Sequence, residues 1–382
     1  MLSKNINFKS FNHKFNNTKI KKDLKKILNE NNEVIKSLTP AYKYQHNKNL
    51  IHKIKKEKIL KIIGMGGSIL GAQAIYDFLK HKIKKKIIFY DNLESNLKTH
   101  GKSTNIIISK SGNTLETIAN TNILIRRNEK NIFITESKNS YLRSLALKIK
   151  AEIISHNNFI GGRYSVLSEV GMLPAELMGL NESKFKQLNN LIKNKNFINL
   201  LVSNVANTLF FIKKKKFNSI ILNYDSSSDN LFNWYQQLIA ESLGKKRKGI
   251  QPIISSMPKD NHSLMQLYLD GPKNNFFTFF YVKKKNTLKI NNNKILKSHS
   301  YLKNKTLEKI KFSQKVATEN VFLKKNIPFR SFEVINKNEQ SLGELFCFFI
   351  LETILLGRAL KVNPYDQPAV ELIKDETKKI LI

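Results

Sequence analysis

The chain has 382 residues, 41% of them hydrophobic and 10% aromatic, enough for two ordinary domains with buried cores, and its glycine and proline are too scarce for a collagenous or linker-dominated protein. A net charge of +37 raises nucleic-acid binding first. That class is set aside: the excess is lysine, accompanied by surplus Asn and Ile as A/T-rich codons would give, and the aromatics interleaved with Arg-rich grooves that single-strand binders use are not apparent.

Residues 1–57 are Lys/Asn-rich with sparse apolar positions and predict a peripheral, helical N-terminal extension; their first residues lack the apolar stretch of a signal peptide. Lys58 to Ile63 reads as a strand ending in a glycine cluster, followed by a helix from Ser68 with Leu70, Ala74, Ile75, Phe78 and Leu79 on one face. Lys86–Tyr90 and Asn105–Ile108 are further strands, and a helix is expected from about Thr114 to Arg127. The strand Asn131–Ile134, a helix near Tyr141 to Ile149 and the short strand Ala151–Ile154 complete this unit. Strands separated by helices of such length imply a parallel, doubly wound sheet.

A second round follows a helical region from about Ser183 to Lys213. It comprises the strand Ser219–Leu222, a helix from about Asn230 to Leu243, the strands Gln251–Ile254 and Phe276–Val282, and a last strand near Ser331–Ile335. Helices near Leu342–Leu360 and Ala369–Leu381 close the chain. The expected fold is therefore α/β, with two doubly wound parallel-sheet domains at 58–182 and 183–340 and C-terminal helices over 341–382. The basic runs Lys84–Lys86, Lys213–Lys216 and Lys283–Lys285 flank apolar segments as solvated ends do.

The single cysteine, Cys347, excludes an intrachain disulfide and suits a reducing compartment. It lies in the apolar run Leu345–Leu351, which is far short of the ~20 apolar residues a membrane span needs. A cytoplasmic protein with no membrane partner is expected.

Two strand-to-helix junctions carry ligand-type sequences. Gly64-Met65-Gly66-Gly67-Ser68 would let backbone approach a ligand at a helix N-terminus. It is not a dinucleotide fingerprint, because Ile69 stands where the third glycine belongs, and no Walker lysine follows. Ser109-Lys110-Ser111-Gly112-Asn113-Thr114 offers hydroxyls and amides that suit a phosphate monoester. Each junction, alone, is also compatible with a plain capped turn. No metal site is evident: His13, His46, His52 and His100 fall in no ligand motif, and Asp77 with His81 is a single helical pair.

These segments resemble the sugar-phosphate-binding segments of sugar isomerase (SIS) domains. Gly161-Gly162-Arg163-Tyr164-Ser165 resembles the GGR(F/Y)S segment of the glucose-6-phosphate isomerase family. The match continues through Trp234 to Lys245, Asp260-Asn261-His262-Ser263, Gln266 to Gly271, and Val370 to Lys374, in the family's order. Met65 departs from the usual β-branched residue, Gly112-Asn113 stands where longer members often carry an aromatic and a threonine, and the chain is short for the family.

The resemblance implies two flavodoxin-like SIS domains, isomerisation of a sugar phosphate without metal or organic cofactor, and a homodimer in which the ring-opening histidine comes from the neighbouring subunit. Glu241, in the ESxGK segment, would carry the proton between sugar carbons; without the motif it could be an exposed helix-end glutamate. Gln237, one turn earlier, would face the same substrate. His262 and Lys374 would open the ring, with Glu116 holding the imidazole. Arg163 would stabilise the enediolate, or else be an ordinary ion-pair partner. Gly67, Ser68, Ser109, Lys110, Ser111 and Thr114 would hold the sugar phosphate. A broader isomerase that also accepts mannose 6-phosphate, and a sugar-phosphate sensor on the same fold, are the alternatives.

Overall fold

The computed structural model describes residues 1–11, 15, 17–46, 48–54, 56–95, 103–126, 128–285 and 287–382. His13 and His100, and the expected helix end at Arg127, lie outside the described residues. Ten strands appear among those residues: β1 (Ile6–Lys9), β2 (Ile59–Gly64), β3 (Lys86–Tyr90), β4 (Thr104–Ile108), β5 (Lys130–Thr135), β6 (Glu152–Ser155), β7 (Asn218–Asn223), β8 (Gln251–Ser256), β9 (Asn275–Val282) and β10 (Phe329–Val334).

The first sheet has the order β3-β2-β4-β5-β6, with every pairing parallel. Helices Leu70–Leu79, Leu115–Leu124 and Tyr141–Lys148 make the crossovers. Parallel strands covered on both faces need continuous apolar runs, which is why β2 and β4 read as stretches of isoleucine and why Ile62, Ile63, Ile106 and Ile108 are fully buried. Because β3 and β4 flank β2 on opposite sides, the chain leaves β2 and β4 in opposite directions. A crevice opens between their carboxyl ends.

The second sheet has the order β1-β10-β9-β7-β8, parallel from β10 to β8 and antiparallel at β1. The expectation that residues 1–57 are helical and peripheral is corrected at β1. Its four residues alternate, Ile6 and Phe8 inward against Asn7 and Lys9, but four residues are too short a pattern to read as a strand by themselves. They become a strand by pairing Ile6 with Val334 and Phe8 with Phe332, and the Phe8 ring lies 4.4 Å from that of Phe332.

The two units meet where helix Leu70–Leu79 packs against helix Asp229–Leu243. Behind them runs Glu339–Ala359, which holds the apolar Leu345–Leu351 run buried among Trp234, Phe232 and Tyr235. No helix among the described residues is long and apolar enough to cross a membrane.

The helical region expected over 183–213 is broken. A 3-10 turn Glu182–Phe185 and helix Leu188–Lys193 precede Lys195–Lys213, and the Asn194 side chain caps the last by accepting from Asn196 N–H. Helices Glu169–Leu177 and Leu307–Lys324 have no counterpart in the sequence pattern. The first contains Pro174; the second is so rich in polar residues that it buries only Glu308, Lys315 and Phe322.

Candidate active site

The turn after β2 is a 3-10 segment, Gly66–Ser68, at the mouth of the crevice. Gly66 has φ of +52°, the left-handed region that glycine enters without cost. A Cβ on Gly67 would lie 2.2 Å from the Gly162 carbonyl carbon and 2.4 Å from the Arg163 nitrogen. Gly67 is thus a point of backbone-to-backbone contact, and it locks this turn onto the 3-10 segment Gly162–Leu167 that carries Arg163. Ser68 is half-buried beside it.

The turn after β4 is tied to itself. The hydroxyls of Ser109 and Thr114 lie 2.9 Å apart, Gly112 N–H donates to Ser109 Oγ at 3.2 Å, and Asn113 N–H donates to Ser111 Oγ at 3.2 Å. Thr114 precedes helix Leu115–Leu124, yet its side chain does not cap that helix. Amides of the helix N-terminus are therefore left without a capping side chain, the condition under which a helix start receives an anion. Lys110 turns away along the sheet edge, donating to the Asn158 carbonyl at 2.8 Å and standing 3.4 Å from Glu136.

Opposite these turns, helix Asp229–Leu243 presents Gln237 and Glu241 one turn apart. Gln237 Nε2 donates to Glu241 Oε1 at 2.8 Å, and Arg163 Nη1 donates to Glu241 Oε2 at 3.1 Å. The carboxylate is held from both sides while its side chain stays 32% exposed, so it remains reachable. Gln237 Oε1 is buried and has no partner among the described residues.

Arg163 is 2% exposed, and each of its five N–H donors is engaged. Nε donates to Ser242 Oγ at 2.8 Å and Nη1 to Gln367 Oε1 at 2.7 Å as well as to Glu241. Nη2 donates to the carbonyls of Pro364 at 2.8 Å and Asp366 at 3.0 Å. Tyr164 Oη donates to the same Pro364 carbonyl, and Trp234 Nε1 donates to the Arg163 carbonyl. Lys245 completes the arrangement by pairing with Asp366 at 2.9 Å, and hydrogen bonding from Lys245 holds the Asp366 carboxyl below the usual range.

The residues named from sequence divide into two groups. Gly67, Arg163, Gln237 and Glu241 form one connected cluster. Ser68 sits in the same Gly66–Ser68 turn, and Ser109, Ser111 and Thr114 form the turn after β4, beside β2. His262 is exposed on the turn Lys259–His262 that follows β8, and Glu116 is half-buried in the first turn of its helix. Neither side chain makes a hydrogen bond among the described residues, so the expected Glu116–His262 contact does not form within one chain. Lys374 lies on helix Ala369–Leu381, 65% exposed, and pairs with Glu371 at 2.7 Å rather than with the Glu241 cluster.

Sequence reasoning missed Gln367, Ser242 and the turn 363–367. The available signal was Asn363-Pro364-Tyr365-Asp366-Gln367, a proline-bearing polar stretch between two helices and next to the Val370–Lys374 match. Nothing in that stretch shows that its carbonyls and amide close on an arginine two hundred residues earlier.

Comparison with known proteins gives the family and the fold. The family described as phosphoglucose isomerase matches residues 12–382. The glucose-6-phosphate isomerase of Methanocaldococcus jannaschii is 34% identical over 345 residues, covering 84% of this chain and 82% of that protein. That of Mycoplasmopsis pulmonis is 34% identical over 374 residues, covering 88% and 87%. In fold, a hypothetical protein from Thermus thermophilus superposes with a TM-score of 0.81 at 22% identity, over 96% of this chain and 94% of that one. A glucose-6-phosphate isomerase from Chlamydia trachomatis gives 0.67 at 19% identity, over 87% and 71%.

Proposed function

We infer the function from one premise: this chain belongs to the phosphoglucose isomerase family. It catalyses aldose–ketose isomerisation, interconverting glucose 6-phosphate and fructose 6-phosphate through a cis-enediol. The observation that carries the assignment to residues is the Glu241 carboxylate, gripped by Gln237 and Arg163 and still reachable at the mouth of a crevice.

In our reading the substrate phosphate sits on the turn 109–114 and the helix start behind it, with Ser68 beside it. Glu241 takes the proton from C2. The C–H electron pair becomes the C1=C2 bond, and the carbonyl π electrons move onto O1 as an enediolate; the proton on O2 then passes to O1, the O2 electrons form C2=O, and the C1=C2 pair takes the proton that the same carboxyl returns to C1. Arg163 contributes charge more than new hydrogen bonds, because its donors are spent. Its fixed guanidinium offsets the negative charge that develops beside it. Gln237, one turn before Glu241 on the same helix face, holds the carboxylate for the same substrate.

Ring opening is assigned to His262 and Lys374. We propose that His262 acts in the crevice of a second copy, in a homodimer, which fits its exposure and the absence of a hydrogen-bond partner for it among the described residues. Glu116 would meet that incoming imidazole. The boundaries 58–182, 183–340 and 341–382 are proposed as the division into two SIS domains and closing helices. A cytoplasmic location is proposed on the buried, unpaired Cys347.

The test is fructose 6-phosphate formation from glucose 6-phosphate in EDTA, with wild type beside Glu241→Gln. Activity that survives chelation and drops by ~10²-fold or more in the variant, the scale of a lost general base, supports the reading. Equal turnover in the two proteins would place the base on another residue.

A further inference from the structure

Glu241 lies near the end of its helix, and a cation just beyond that end ties it to the rest of the site. Helix Asp229–Leu243 stops at Gly244, and the run Lys245-Lys246-Arg247-Lys248 follows. In a chain with 66 lysines and arginines such a run is ordinary, and Lys246, Arg247 and Lys248 are exposed as solvated cations are. Lys245 is different. Its side chain is only 11% exposed, and it turns back onto the helix end.

An ammonium has three N–H donors, and Lys245 uses all three. One goes to the Ser242 carbonyl at 3.2 Å, an acceptor of the kind a helix leaves open at its C-terminus. The second goes to the Asn363 carbonyl and the third to Asp366 Oδ1 at 2.9 Å. Asp366 is itself fixed in its turn, because Oδ2 accepts from Asn363 Nδ2 at 2.8 Å.

Two of the three acceptors therefore belong to the turn 363–367, which also supplies Arg163 with the Pro364 and Asp366 carbonyls and the Gln367 side chain. Arg163 in turn donates to Glu241 Oε2 and to Ser242 Oγ. The bonds close a ring: helix end to Lys245, Lys245 to the turn, the turn to Arg163, and Arg163 back to the helix end. Opening it at Lys245 leaves two carbonyls and a carboxylate without their cation. The turn is then freer to lift, and Arg163 loses the acceptors that set its place beside Glu241. None of the Lys245 donors reaches Ser68 or the turn 109–114, so the residues assigned to the phosphate stand outside this ring.

We propose that Lys245 is a positioning residue of the isomerase: by clamping the turn 363–367 to the end of helix Asp229–Leu243, it fixes the Arg163 guanidinium against the Glu241 carboxylate without touching substrate. The proposal rests on the isomerase reading of Glu241.

The test compares wild type, Lys245→Met and Lys245→Cys, the last also after alkylation with 2-bromoethylamine. That reagent rebuilds an ammonium of lysine length on the new thiol, while Cys347 is protected at 0% exposure. Lys245→Met should lose about tenfold to 10²-fold in kcat on glucose 6-phosphate with KM changed by less than about twofold, the effect of misplaced catalytic groups beside an intact phosphate turn. Lys245→Cys should be similarly slow, and a single aminoethyl group should restore it to within about threefold of wild type. Amide exchange over 363–367, followed by mass spectrometry without substrate, should quicken by about tenfold or more in Lys245→Met and slow again in the aminoethylated protein. A lysine that only stabilises the fold would lower resistance to urea and leave kcat of the folded enzyme unchanged. The proposal is overturned by a Lys245→Met kcat within about twofold of wild type, by a rise in KM in place of the fall in kcat, by an aminoethylated protein as slow as its parent, or by unchanged exchange. Turnover by wild type decides the isomerase reading separately, and the exchange comparison needs no turnover.

Discussion

Arg163 shows how much one side chain can organise. Its guanidinium gathers a helix (Glu241, Ser242), the turn 363–367 and, through its own backbone, the glycine turn after β2. Lysine is a point charge and cannot reproduce that fork. Arg163→Lys should lose about 10²-fold in kcat/KM, in the range of a lost charge-stabilising donor, and leave the 363–367 segment open to limited proteolysis. Unchanged protease sensitivity would separate the charge from the positioning. Lys186 is a second buried cation with a different consequence. It donates to the carbonyls of Ser37 and Leu167 and lies 5.2 Å and 4.9 Å from the ring centres of Tyr42 and Tyr44. Burial pulls its pKa down to about 7, while Cys347 beside it is pushed up to about 12 and both tyrosines are raised. The unfolded lysine keeps an ordinary pKa of ~10.4, so between pH 7 and 10 the unfolded chain binds the extra proton and stability rises with pH. Urea unfolding at pH 7 and pH 9 should show a gain approaching ~1.4 kcal/mol per pH unit from this residue, and that slope should vanish in Lys186→Met.

At the scale of elements, the site exists because three short segments touch. The Gly66–Ser68 turn and Gly162–Leu167 meet backbone to backbone, and helix Asp229–Leu243 closes over both, with Gln237 Nε2 only 2.9 Å from where a Gly66 side chain would begin. Gly67→Ala forces a methyl into that contact, where no flexible side chain can yield. The cost should be about 1–3 kcal/mol in urea unfolding, the range for overpacking, together with a fall in kcat as Arg163 is displaced. A variant as stable and as active as wild type would show that the contact is looser than its geometry. A buried network fixes the other end of the assembly: Arg330 on β10 binds Glu352 and Asn204 and donates to Tyr235 Oη at 3.1 Å, joining the second sheet to helices Glu339–Ala359, Lys195–Lys213 and Asp229–Leu243. Paired in this way the charges are tolerable in the interior, though removing one partner would be costly.

At the scale of the molecule, a shared active site has a specific signature. Glu241→Gln and His262→Ala, each inactive alone, should regain up to about a quarter of wild-type activity when unfolded and refolded together, since random pairing makes half of the dimers mixed and each of those carries one intact site. Mixtures no more active than their components would mean that His262 serves its own chain or serves no catalytic purpose. The exposed apolar residues of helix Ala369–Leu381, among them Leu372, Ile373 and Ile380 at 70%, 69% and 83%, show that the element carrying Lys374 is not packed into its own chain's core.

What the sequence determined by itself was the set of parallel strands and the identity of the turns between them. Local rules are sufficient there: isoleucine runs make two-faced strands, and glycine or hydroxyl clusters mark where they stop. Glu241 and Arg163 were legible only because their neighbours formed a recognisable order, since a glutamate near a helix end and an arginine in a loop have no spacing of their own. The tertiary structure alone decided the rest. β1 is a strand because β10 lies beside it, and Gln367 reaches Arg163 because a turn between two C-terminal helices folds back onto it. It also decided that Arg163 arrives with its donors filled. These are long-range hydrogen bonds and close approaches of backbone, and they depend on which segments the packed core brings together, information that no local pattern of residues carries.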